Sequence, residues 1–192
     1  ACDFMSIRVD TLLSQGQYRK AASILSELYK IRMIYIKDEP VTTDTLFRLG
    51  DTLRLTGDIP AAIKALDLCL AGCIKLEGRL SEISARCLLS KAHALLALGD
   101  VEGAGTLYQE TLSTRIEVHG SIHESLYAFS QFSLLKGNFE DAMDMAQKCA
   151  NARQKIFGAK RTPETAEAVY IRACTMHANG SLKEAKTLHE QG

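Results

Sequence analysis

Five times along this chain a glycine is followed by an apolar residue two positions on and an alanine five positions on. The sets are Gly16, Tyr18 and Ala21; Gly57, Ile59 and Ala62; Gly99, Val101 and Ala104; Gly137, Phe139 and Ala142; and Gly180, Leu182 and Ala185. Successive glycines lie 41, 42, 38 and 43 residues apart. A period of this size builds a stack of like units rather than one closed core, because each unit buries its apolar face only against its neighbours.

Around each glycine the apolar residues fall at helical spacing, as in Leu46, Leu49 and Leu53 or Leu88 and Leu95. The pattern predicts an all-α fold, a right-handed α-solenoid of five antiparallel helix pairs. The pairs cover about 3–36, 43–76, 82–118, 121–157 and 164–191, the last one truncated. Asp58 and Asp100 follow turn glycines and are expected as N-caps. Pro60 fits the first turn of a helix, while Pro40 and Pro163 are expected in the connections between pairs. Alignment on the glycines exposes the packing positions. Seven residues before them stand Val9, Gly50, Ala92, Ser130 and Ala173, and five after them stand Ala21, Ala62, Ala104, Ala142 and Ala185. Small residues at both positions let two helices approach closely.

These anchors resemble the tetratricopeptide repeat. The period near 42 residues, longer than that family's usual 34 or so, is similar to the kinesin-light-chain subtype. That subtype carries a Gly-x-x-His-Pro loop; Gly120 and His123 keep its glycine and histidine, and Gly158 and Pro163 keep its glycine and proline. The resemblance implies a protein–protein interaction module, an adaptor or scaffold, with a motor-cargo or cytoskeletal role suggested by the subtype. A structural segment of a cytoskeletal or ciliary assembly and a regulatory repeat domain of a larger enzyme stay open as alternatives. The implied location is cytoplasmic, with a cytoskeletal or ciliary association as its finer form.

Charge narrows the partners. The chain has 23 basic and 23 acidic residues, so it lacks the basic footprint of a nucleic-acid binder. No apolar run approaches the roughly 18 residues of a membrane span. The expected partner is a protein or peptide, with no nucleic acid and no membrane. The N-terminus lacks a signal-peptide layout and an initiating Met, and the fifth pair is cut short, so the chain is expected to be part of a longer array. Its uncapped ends would permit self-association.

Chemistry-bearing motifs are sparse. Cys2, Cys69, Cys73, Cys87, Cys149 and Cys174 are expected as reduced thiols, most of them packing residues, with no stoichiometric metal. His119 and His123 straddle a predicted helix break, which removes the shared face a metal pair needs, and His123 is expected to satisfy turn backbone groups. The Gly103 and Gly105 stretch falls inside a helix and lacks a phosphate-loop layout. The chain is therefore expected not to be an enzyme and to use no cofactor.

The resemblance further implies that first helices line a concave face. Transferring that rule by offset selects a peptide-binding set: Asp10, Asp44, Phe47, Asp51, Arg54, Leu89, His93, Tyr127, Gln131 and Tyr170. Phe47, Leu89, Tyr127 and Tyr170 share one offset and form an apolar ladder, suited to a partner with apolar anchors. Six acids (Asp3, Asp10, Asp44, Asp51, Glu124 and Glu167) against Arg54 and Arg86 would favour basic residues in that partner.

Overall fold

The computed structural model describes residues 2–37, 39–78, 80–118, 122–158 and 162–191. They form ten helices and, among the described residues, no strand. The helices are α1 Cys2–Ser14, α2 Tyr18–Tyr35, α3 Pro40–Thr56, α4 Ile59–Glu77, α5 Glu82–Ala97, α6 Val101–Glu117, α7 His123–Leu135, α8 Phe139–Phe157, α9 Pro163–Ala178 and α10 Leu182–Gln191. The chain divides into two compact units, Ala1–Val118 and His119–Gly192. In the first unit each helix packs on the next from α1 to α6, and α3 also touches α5. In the second, α7 to α10 pack in the same order and α7 touches α9.

The glycine marks the turn inside each pair because the chain must reverse there in a left-handed conformation. Gly57 has φ 87° and Gly137 has φ 76°, values a Cβ disfavours. The Gly57 N–H returns to the carbonyls of Leu53 and Arg54, closing α3. The next helix then starts on a side-chain cap. Asp58 accepts from the Ala61 N–H at 3.2 Å and Asp100 from the Gly103 N–H at 2.9 Å, as expected, and Asn138 does the same for Asp141 at 3.4 Å. The expectation for Pro40 and Pro163 does not hold. Both occupy the first turn of a helix, α3 and α9, where the missing N–H has no intrahelical partner to lose.

The small positions are the contact inside each pair. Ala21, Ala62, Ala104 and Ala142 are fully buried, and Ala185 is nearly so. Opposite them Val9, Ala92, Ser130 and Ala173 are fully buried. Two details measure how close the helices come. A Cβ on Gly50 would sit 2.8 Å from Leu66 Cγ, so only glycine fits the present packing. Ser130 Oγ donates to the Ala142 carbonyl at 2.8 Å, a bond directly between the two small positions. In the first unit Leu25, Leu46, Leu49, Leu66 and Cys69 extend this contact into a continuous core that spans the pairs.

Enlarging these alanines should overpack the pair. Ala62→Leu and Ala142→Leu are each expected to cost about 1–3 kcal/mol, read as a lowered midpoint in chemical denaturation with helical content retained.

Candidate functional site

Two helix faces carry the residues selected by offset. α1, α3 and α5 hold Asp10, Asp44, Phe47, Asp51, Arg54, Leu89 and His93 in the first unit. α7 and α9 hold Tyr127, Gln131 and Tyr170 in the second.

In the first unit most of these groups already have partners. Asp10, exposed on α1, is ion-paired with Arg48 of α3. Asp51 Oδ1 accepts from Arg54 Nε at 3.1 Å, from the second Arg54 nitrogen at 2.9 Å and from Ser90 Oγ of α5 at 2.7 Å. Phe47 is buried, and the Arg86 guanidinium covers its ring at 4.3 Å from the centroid. Leu89 is half-buried. Asp44 is half-buried and lines a cavity that also touches Cys73. The alignment missed Arg48 and Ser90 because their offsets fall outside the transferred rule.

His93 closes the network. Its Nδ1 lies 2.8 Å from the Tyr108 hydroxyl, and the rings meet edge-on at 5.4 Å. Burial, and after it the Arg54 charge, push the His93 pKa down to about 4, against the pull of Asp51. Burial pushes the Tyr108 phenol up to about 12. At neutral pH both rings are therefore uncharged, and the Tyr108 hydroxyl and His93 Nδ1 share one neutral hydrogen bond.

In the second unit the aromatic groups are more open. Tyr127 is half-buried; Gln131 Nε2 donates to its hydroxyl at 2.9 Å, and the Arg153 guanidinium lies 4.9 Å from its ring centroid. Arg153 comes from α8 and is itself buried. It donates to the Glu164 carbonyl and, at 3.2 Å, to the Glu167 carboxylate, both on α9. Tyr170 on α9 is 56% exposed.

The turn that His123 is expected to serve lies outside the described residues. His123 itself is buried at the start of α7, its ring 5.9 Å from Phe157 and its Nδ1 3.5 Å from Arg153 Nε. His119 and Gly120, the other groups read in that loop, lie outside the described residues. The cysteines sharpen the sequence picture. Cys69 and Cys149, at equivalent positions, are fully buried, and each thiol donates to the carbonyl at one equivalent position, Thr43 at 3.4 Å and His123 at 3.3 Å. What the sequence did not reveal is that Cys69 and Cys73 of α4 meet Cys87 of α5. Sγ of Cys69 is 3.0 Å from Cys87 and 3.9 Å from Cys73. Hydrogen bonding to Cys73 and Cys87, with burial, holds the Cys69 thiol up, whereas hydrogen bonds from the same neighbours lower that of Cys73.

Comparison with known proteins agrees with this geometry. A family model described as a tetratricopeptide repeat matches residues 84–125, which take in most of α5, all of α6 and the first residues of α7. The fold is a tetratricopeptide-repeat solenoid. Among solved structures, a putative kinesin light chain with nearly identical TPR-like repeats from Podosopora anserina superposes with a TM-score of 0.79 at 18% identity, covering 98% of this chain and 91% of that one. BtubC (BKLC) from P. vanneervenii reaches a TM-score of 0.83 at 18% identity, over 97% of this chain and 76% of that one. A Rap protein complexed with Competence and Sporulation Factor reaches 0.71 at 13% identity, over 99% and 58%. No curated protein matches the chain in sequence.

Within this tetratricopeptide fold the His93 environment makes stability depend on pH. Its folded pKa lies below the usual 6.5, so the folded state binds its proton later than the unfolded chain. The contribution of a neutral His93 is complete above about pH 6.5 and is lost as the pH falls toward 4, with a size of roughly 1–3 kcal/mol. Denaturation of wild type and His93→Gln across that window should show the wild type losing more stability than the variant.

Proposed function

We propose that this chain is a non-catalytic protein-interaction module whose first-helix faces hold a peptide segment of a partner. The observation that carries the reading is Tyr170. It is 56% exposed, it shares its offset with half-buried Tyr127, and it stands on a helix that touches the helix bearing Tyr127. Aromatic side chains in reach of solvent, on adjacent rigid helices, are the kind of anchor that dominates peptide recognition. Gln131, one turn along from Tyr127, supplies a polar group that can register a backbone.

In the first unit the same face is Leu89 with Asp44, Asp51, Arg54 and His93. Here a basic segment has to compete with the arginines already bound to Asp10 and Asp51. Apolar anchors therefore contribute most of the affinity, and the acids tune preference and association rate. The similar Rap protein, solved complexed with Competence and Sporulation Factor, supports a binding role for a fold of this kind. A motor-cargo or cytoskeletal role, and with it a cytoplasmic location, is supported by the likeness to a putative kinesin light chain and goes no further than that likeness.

Peptide arrays followed by solution binding of the selected sequences test the proposal. Tyr170→Ala should weaken binding at any salt concentration, by about 1–2 kcal/mol. Asp44→Lys should weaken it mainly at low ionic strength, where screening is least. A peptide whose affinity is indifferent to both substitutions would move the site off these faces.

A further inference from the structure

The alignment on turn glycines has one position where chemistry changes abruptly. Sixteen residues after the glycine stand Arg32, Cys73, Arg115 and Arg153. All four are buried. Where the arginine is present it ties its helix to a first helix of the same unit. Arg32 donates to the Val41 carbonyl at 3.1 Å and to Thr45 Oγ1. Arg115 pairs with Glu82 at 3.2 Å, and Arg153 with Glu167 at 3.2 Å. A guanidinium is thus the repeat's usual occupant of this position, a permanent positive charge.

In the second pair that cation is replaced by a thiol. Cys73 meets Cys87, which stands at the position equivalent to Thr45, the partner of Arg32. The shorter side chain leaves room. A cavity of about 140 Å³ lies against Cys73, walled by Thr43, Leu76 and Ile83, with Asp44 and Glu77 also on its lining. Three sulfurs and a void with two acidic residues on its lining therefore stand where the other pairs place a cation.

We propose that Cys69, Cys73 and Cys87 form a zinc site, with a fourth, oxygen ligand drawn from the cavity beside Cys73. The geometry needs little change. The three sulfurs lie within 4.8 Å of one another, with separations of 3.0 and 3.9 Å from Cys69. Bonds of about 2.3 Å at a tetrahedral centre put sulfurs about 3.8 Å apart, so the Cys69–Cys73 separation already fits and the Cys69–Cys87 contact has to open by about 1 Å or less. Two ligands four residues apart on α4 and one on α5 give a metal that staples two helices. Each ligating thiol releases its proton to solvent. Charge selects the ion. Three thiolates and a neutral water as the oxygen ligand around a divalent cation leave one net negative charge, and three thiolates around Cu(I) leave two, the costlier state in a buried site. The cavity supplies what a closed sulfur cluster lacks, an entry path and space for the fourth ligand. This reading reverses the expectation that these thiols only pack.

The test uses the full chain in a Cys2→Ser, Cys174→Ser background, which removes the two partly exposed thiols. Zinc added in slight excess should remain at one ion per chain against a chromophoric chelator. X-ray absorption should find three sulfurs and one oxygen in the first coordination sphere, and zinc should raise the melting temperature. Cys73→Arg installs the residue that the other pairs use; it is expected to fold and to retain no zinc. The proposal is overturned if the background protein retains no zinc, if it prefers Cu(I), if Cys73→Arg retains zinc as well as its parent does, or if fewer than three sulfurs surround the metal. The absorption measurement decides the matter on its own should Cys73→Arg fail to fold.

Discussion

Everything else in this molecule is hung on the approach of two helices at a pair of small side chains. With alanine on one helix and a residue no larger than valine on the other, the backbones come close enough for Ser130 to reach the Ala142 carbonyl and for Leu66 to occupy the space of a missing Cβ on Gly50. That contact sets the angle within a pair and so determines which flank of each first helix is turned toward a neighbour. The turn glycine and its aspartate or asparagine cap hold the register at which the small residues meet. A larger residue at either position would shift not one contact but the orientation of every side chain carried by that helix.

A second interaction works between pairs. At Arg32 and Arg153 the buried arginine of a second helix reaches across to the first turn or two of the next first helix and donates to backbone, hydroxyl or carboxylate oxygens there. A guanidinium suits this position because its fixed fork of donors can serve two or three acceptors at once. At Arg32 and Arg153 the same device recurs with different acceptors, Val41 and Thr45 in one case and Glu164 and Glu167 in the other. The junction is thus conserved in kind within the chain while its local sequence drifts.

The helices were legible because their signal is repetitive: one glycine, one alanine and one helical period, read five times, agree on boundaries to within a few residues. Pro40 and Pro163 were misplaced because a proline at a helix start and one in a connection look alike without the hydrogen bonds around them. The faces were harder. Offset alone placed Phe47 and Tyr170 in one class, yet Arg86 covers the first and the second stands 56% exposed, a difference set by what neighbouring helices happen to carry. The pairing of Asp10 with Arg48 was invisible for the same reason. The arginine position was available to the alignment and went unread, because charged residues are not expected inside. The meeting of Cys87 with Cys69 and Cys73 depends on side-chain directions across two helices, which spacing along one helix does not encode.

Arg153 sits in two structures at once. Its guanidinium lies against the ring of Tyr127 and also holds the first turn of α9 through Glu164 and Glu167. Any molecule that settles on Tyr127 alters the surroundings of this one cation and therefore the strength with which α9 is held. Linkage makes the relation mutual: a change in how firmly α9 is docked alters the affinity at Tyr127 by the same free energy. For the peptide site proposed above, recognition in the second unit would thus be coupled to cohesion, and a partner's grip on Tyr127 would be felt in how firmly the helix carrying Tyr170 is held.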